Sequence, residues 1–293
     1  MHIVITDSGV GGLSVVAYAE RFVRTRGFTE PVRLTFANAA PENDYGYNSM
    51  PSRGVKLETL DRFLRNITTR FAPDMIYVAC NTLSVLLPDT PYFSKAPIPV
   101  KGIVETGVEL LMNELESDPR RVAMIFGTQT TIDAGTYPRL LEARGVDPSR
   151  TITQACPGLA DTISEDREGS RTEREIVKWA GAAIANMRDA ETPVVACLAC
   201  THYGYRKVLF AGAFAAAGID ARVVNPNERA VDDLFPLRSS DSGAGANRDV
   251  AVRFVTRYAI PDATVEALSW FLSDISPATV AAMKNFEHVP DLF

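Results

Sequence analysis

The chain has 293 residues, 46% hydrophobic and 23% charged, with a formal net charge of −6, which is globular composition with room for one large domain or two medium ones. The acidic balance disfavours nucleic acid as the main partner, because phosphate binding wants a basic face. No apolar run reaches the ~18 residues of a membrane span, and residues 1–7 lack the basic and long apolar regions of a signal peptide, so a cytoplasmic protein with no membrane partner is expected.

Ile3-Val4-Ile5 predicts a short apolar strand. Asp7-Ser8-Gly9-Val10-Gly11-Gly12-Leu13-Ser14 follows, ahead of a helical run over residues 15–25. Strand, glycine-rich turn and helix form an anion-binding layout: glycines admit close backbone approach, and a helix N-terminus offers free N–H groups. The spacing is not that of a dinucleotide fingerprint, and no Walker lysine follows. The run reads either as a plain tight turn or as one that delivers Asp7 and Ser8 to a strand end. Its place directly after an apolar strand favours the second.

Residues 32–37 form a second strand, and residues 38–49 a polar loop holding Tyr45-Gly46. That loop fits a binding role and a plain turn equally. Residues 55–71 carry apolar side chains at near-helical spacing, broken by Pro73-Asp74. Residues 75–79 are a third strand leading into Cys80-Asn81-Thr82, where a short helix begins that ends by Pro88. A helix N-terminus there would stabilise a Cys80 thiolate. Residues 98–104 are a fourth strand.

The pattern then restarts. Residues 108–115 are helical. Residues 121–126 are a strand closed by Gly127-Thr128-Gln129-Thr130-Thr131-Ile132, and a helix runs on to Arg144. A short strand over 151–155 ends at Cys156-Pro157-Gly158, and a helix covers 173–187. The strand 194–199 leads to Cys200-Thr201-His202, a helix covers 203–217, and 221–225 is a further strand. Residues 241–246 read as an exposed loop. The apolar positions Val250, Val252, Phe254, Val255 and Tyr258, then Leu268 to Leu272, predict one or two helices returning to the first half. The alternation implies α/β architecture: two successive halves, each a parallel sheet with helices on both faces.

Ala79-Cys80-Asn81-Thr82 and Ala199-Cys200-Thr201-His202 are near-copies, each closing a run that reads as a buried strand. Ligands of α/β folds bind at the carboxyl ends of strands. Two such domains across a cleft would hold a small molecule between the two thiols. The usual fate of a free cysteine is burial in a core, and Cys197 reads that way. The recurrence with hydroxyl and imidazole neighbours favours chemistry for Cys80 and Cys200. Four cysteines, Cys80, Cys156, Cys197 and Cys200, are too few and scattered for a disulfide framework. With only His2, His202 and His288 to add to them, no metal site is expected.

Two thiols suit inversion at a carbon without a cofactor. One thiolate removes a proton from one face, and the other thiol returns a proton to the opposite face. Asp7 and His202 are the candidate helpers. Ser8, Asn81, Thr82, Thr130 and Thr201 are candidates to hydrogen-bond a substrate carboxylate and ammonium.

The Asp7–Leu13 run, Ala79-Cys80-Asn81-Thr82, Gly127–Ile132 and Cys200-Thr201-His202-Tyr203, with Tyr45-Gly46 and Val104-Glu105-Thr106-Gly107, resemble in order the signature segments of the aspartate/glutamate racemase family. The glutamate racemases are its most similar branch. The resemblance implies two pseudo-symmetric domains, each a parallel-sheet α/β sandwich, with the active site in the cleft. The first would be discontinuous, 1–103 plus 228–293, and the second 104–227. It implies a cofactor-independent racemase supplying D-glutamate for peptidoglycan, with a homodimer as one assembly. Cys80 and Cys200 would be the acid–base thiols, assisted by Asp7 and His202 respectively. Ser8, Tyr45, Gly46, Asn81, Thr82, Thr130 and Thr201 would hold the substrate. Departures lie around this set: Asp44 precedes Tyr45-Gly46 where the family has proline, and Asn38 stands for an aspartate. Glu165 is a loose counterpart of a glutamate pair, and Gly204 replaces a proline. A racemase or isomerase acting on aspartate or another small carboxylate, and a non-catalytic binding relative, are the alternatives.

Overall fold

The computed structural model describes residues 1–28, 30–43, 45–189, 191–235 and 248–293; Asp44 and the loop predicted at 241–246 lie outside the described residues. The strands in chain order are β1 (His2–Asp7), β2 (Val32–Asn38), β3 (Met75–Val78), β4 (Val100–Gly102), β5 (Val122–Gly127), β6 (Thr151–Ala155), β7 (Val194–Ala199), β8 (Ala221–Val224), β9 (Val250–Thr256) and β10 (Glu287–His288). The helices are α1 (Leu13–Arg26), α2 (Arg53–Phe71), α3 (Asn81–Ser84), α4 (Ile103–Ser117), α5 (Gln129–Asp133), α6 (Thr136–Ala143), α7 (Leu159–Glu165), α8 (Ser170–Ile184), α9 (Lys207–Ala216), α10 (Pro226–Leu234), α11 (Asp262–Leu272) and α12 (Pro277–Lys284). They form two compact units, Met1–Ile103 with Asn227–Phe293, and Val104–Pro226.

The first unit holds a six-stranded sheet of order β10-β9-β2-β1-β3-β4, and the second a four-stranded sheet of order β6-β5-β7-β8. Every pairing is parallel. The run β2-β1-β3-β4 and the run β6-β5-β7-β8 are the same topology laid down twice, so β3 corresponds to β7 and β1 to β5. All residues of β1 and of β7 are buried, the pattern of parallel strands covered on both faces. That burial explains why Ile3-Val4-Ile5 and β7 read as unbroken apolar runs rather than alternating ones. Among the described residues, no helix is long and apolar enough to cross a membrane.

Local chemistry sets the helix ends. The Ser52 side chain accepts the Val55 N–H at 3.3 Å at the start of α2, an N-cap that satisfies an otherwise unpaired donor. Leu60, Phe63, Leu64 and Ile67 of α2 are buried. The fourth strand is shorter than predicted, and α4 starts at Ile103 rather than 108. There the Ser84 hydroxyl accepts the Ile103 N–H at 3.1 Å and Glu105 sits in the first turn, where a carboxylate favours a helix start.

The tail departs from its expectation. Residues 250–256 were predicted to be helical; they form β9, paired with β2 from Val32↔Val250 to Ala37↔Val255. Val250, Val252, Phe254 and Val255 fit helical spacing only loosely, and a short apolar run cannot be told from a strand by periodicity alone. Its β-branched content favours the strand once β2 offers an edge. The helices come later, as α11 and α12.

Candidate active site

In the first unit, β1 delivers Asp7 and β3 delivers Cys80 at adjacent carboxyl ends, since β1 and β3 pair as far as Thr6↔Val78. The turn after Asp7 folds back tightly. A Cβ on Gly12 would stand 2.9 Å from both the Asp7 Cβ and its Oδ2, and 3.2 Å from the Ala79 Cβ. Only glycine permits that approach. The turn places the Ser8 Oγ 3.0 Å from the Cys80 Sγ. Asp7, Asn81 and Thr82 are buried beside it.

The Cys80 thiol is pushed up to about 12 by burial first and by the Asp7 charge second, against a smaller pull downward from the Ser8 hydroxyl and the amides of Ser8 and Leu83. The expected stabilisation of a Cys80 thiolate by a helix N-terminus is therefore outweighed. The helix concerned, α3, has only four residues, too few to sum a substantial dipole, and desolvation penalises the anion.

The loop after β2 borders this group. A Cβ on Gly46 would lie 3.9 Å from the Ser8 carbonyl oxygen. Tyr45 is 36% exposed, and its N–H donates to the Glu42 carbonyl at 3.4 Å. Asn38, at the end of β2, is fully buried. Its Oδ1 accepts the Ala40 N–H at 3.0 Å, and its Nδ2 donates to Tyr258 Oη at 3.1 Å and Thr256 Oγ1 at 3.3 Å. An aspartate has no such donor, so asparagine at this position suits a loop tied to the end of β9.

In the second unit, β7 delivers Cys200, which is buried. Its Sγ is 4.0 Å from His202 Nδ1, the outer reach of a sulfur contact. Thr201 is buried and His202 half-buried. The predicted helix from 203 opens as a tight 3₁₀ turn, Tyr203–Arg206, with α9 after it. The buried Tyr203 hydroxyl reaches the carbonyls of Cys156 at 3.2 Å and Gly127 at 3.4 Å, tying the ends of β6 and β5 to the turn that carries Cys200. Sequence reasoning did not assign Tyr203 this role. Thr130 is the second residue of α5, behind an N-cap in which Thr128 Oγ1 accepts the Thr131 N–H at 3.3 Å.

Residues outside these two groups separate cleanly. Cys197 is fully buried within β7 and its thiol is pushed up to about 12 by desolvation. Cys156 is buried and raised by the same cause. Glu165 pairs with Arg171 at 3.1 Å on the surface. A side chain at Gly204 would come within 2.6 Å of Asn225 Nδ2, so the glycine goes with the packing of Asn225. Among the described residues, no group of three His, Cys, Asp or Glu side chains could hold a metal.

The chain is 27% identical over 203 residues to a glutamate racemase of Hydrogenobaculum sp., covering 69% of this chain and 71% of that one. It is 28% identical over 245 residues to a glutamate racemase of Syntrophus aciditrophicus, covering 80% and 78%. Its fold matches the crystal structure of the glutamate racemase of Francisella tularensis in complex with D-glutamate, with a TM-score of 0.70 at 19% identity, covering 92% and 93% of the two chains. No family model matches the chain. A chain that repeats one parallel α/β topology and closes the same strand of each copy with a cysteine, with relatives of this kind, is an isomerase of the racemase class. Its similarity is to glutamate racemases, of the aspartate/glutamate racemase family.

Proposed function

We propose that this enzyme interconverts L- and D-glutamate without a cofactor, with Cys80 and Cys200 as the two acid–base thiols, and supplies D-glutamate for peptidoglycan in the cytoplasm. The observation that supports this most is the recurrence of one device. Each unit ends a buried central strand in a cysteine, and each cysteine has a titratable helper close by: Asp7 for Cys80 and His202 for Cys200.

In the mechanism one thiolate takes the α-proton while the other thiol protonates the opposite face. The Asp7 charge disfavours a second anion beside it, so the resting Cys80 carries its proton and enters as the acid. Cys200, with the His202 imidazole at hand, enters as the base. In the reverse direction the roles exchange: the Cys80 thiolate left by the forward turnover takes the α-proton, and the Cys200 thiol supplies the other. Ser8, Tyr45, Gly46, Asn81 and Thr82 from the first unit, and Thr130 and Thr201 from the second, hold the substrate carboxylates and ammonium.

The same chemistry on another small carboxylate, such as aspartate, is the second reading, favoured by the sequence departures from the family pattern at Asn38, Asp44 and Gly204. Incubation with single-enantiomer amino acids in D2O, followed by NMR of the α-proton, separates the two. Exchange with glutamate alone supports the first reading, exchange with another amino acid supports the second, and no exchange with any would leave a binding protein.

A further inference from the structure

Tyr47 follows Tyr45-Gly46 in the loop after β2. Its side chain is 1% exposed, one of the largest fully buried in the chain. Its hydroxyl is also buried, and has no hydrogen-bond partner among the described residues. Native interiors leave few polar groups in that condition, because a desolvated hydroxyl without a partner is destabilising. Such a group calls for an acceptor that the described residues do not supply.

Its position indicates which acceptor. A Cβ on Gly46, one residue earlier, would lie 3.9 Å from the Ser8 carbonyl oxygen, and the Ser8 hydroxyl is 3.0 Å from the Cys80 sulfur. Burial raises the Tyr47 hydroxyl well above the usual phenol range, and the Cys80 charge adds to this while Arg62 opposes it. The phenol thus remains a neutral O–H donor. The ammonium of a bound amino acid would have Asp7 in the group of residues around Cys80.

We propose that Tyr47 is a substrate-contacting residue: its hydroxyl, buried and unpartnered in the loop that borders Ser8, donates a hydrogen bond to a carboxylate oxygen of the bound amino acid. This rests on the racemase reading and deepens it by assigning a carboxylate contact to a residue outside the family segments that suggested the site.

The test is Tyr47→Phe, which removes only the hydroxyl. Apoprotein Tm, the thermal shift produced by D- and L-glutamate, KM and kcat are measured beside wild type. The proposal expects an apoprotein Tm equal to or above wild type, a lost or much reduced glutamate-dependent shift, and a KM raised about 10- to 100-fold, the range of a hydrogen bond to a charged group. kcat changes far less than KM. An apoprotein Tm that falls with an unchanged KM, or a variant that fails to fold, overturns the proposal by showing a structural partner for the hydroxyl. The two readings fail separately. Wild-type racemisation with an unaltered KM in Tyr47→Phe sinks the Tyr47 contact alone. A wild type that is stabilised by glutamate but does not racemise it, with the stabilisation lost in Tyr47→Phe, sinks racemisation alone.

Discussion

Under the proposed mechanism the Cys80 and Cys200 groups use the same strand position but draw their helpers differently. Cys80 draws its helper from another strand: Asp7 ends β1, and Gly12 lets the turn close over it. Cys200 draws its helper from its own turn, with His202 two residues on and Sγ to Nδ1 at 4.0 Å. The first arrangement depends on sheet register and on one glycine. The second depends on the local turn, held by the Tyr203 hydroxyl. The helper charges also differ. A carboxylate beside a buried thiol raises it, whereas an imidazolium would favour a thiolate. One topology therefore carries a buried thiol with a carboxylate beside it, biased toward its protonated form, and another thiol with an imidazole two residues on.

The largest effects should come from the thiols. Cys80→Ser and Cys200→Ser are each expected to lower racemisation by about 10²–10⁴-fold with the fold intact by circular dichroism. The double variant should be no slower than the slower single one, because residues acting as a unit are non-additive. Additive losses would break the pairing.

Next come the helpers. Asp7→Asn removes the charge that raises Cys80, so the pH at which iodoacetamide alkylates Cys80 should move down, while activity falls by about 10²-fold. An unmoved alkylation profile would mean that burial alone controls this thiol.

Gly12→Ala should separate register from local turn. Its Cβ would meet Asp7 at 2.9 Å, so a stability loss of about 1–3 kcal/mol in urea melts is expected, together with a loss of activity as Asp7 is displaced. Gly204→Ala meets Asn225 instead. It should cost similar stability and leave the pH profile of activity unchanged.

The smallest effect is one of pH. Cys80 and Cys197 are both raised to about 12 from 9.0. The folded state holds these protons more tightly than the unfolded chain, so their contribution is fully present below pH 9 and is lost as pH rises from 9 toward 12. Cys80→Ser and Cys197→Ala should each flatten the alkaline decline in urea-melt stability and leave its pH dependence near neutrality unchanged.

What was legible in the sequence follows the same division. Cys80 and Cys200 stood out because each interrupts an apolar run at its end, and burial on both faces writes that run into the sequence. Cys200 and His202 are local neighbours and were visible together. The Ser8 contact with Cys80 spans 72 residues, and the Asn38 ties to Thr256 and Tyr258 span 218 and 220. Register across a sheet sets such contacts, and no local pattern encodes them. β9 was misread for the same reason: its partner, β2, lies at the far end of the chain. Tyr47 carried no signal beyond its place after Tyr45-Gly46, since a buried tyrosine usually belongs to a core.

The most direct test of the two-thiol account is α-deuterium incorporation and inversion, measured together by NMR and polarimetry, for L- and D-glutamate in D2O with wild type, Cys80→Ser and Cys200→Ser. The account predicts that wild type inverts both enantiomers with solvent deuterium at the α-carbon, and that neither variant inverts either one. Full racemisation by either variant would contradict it.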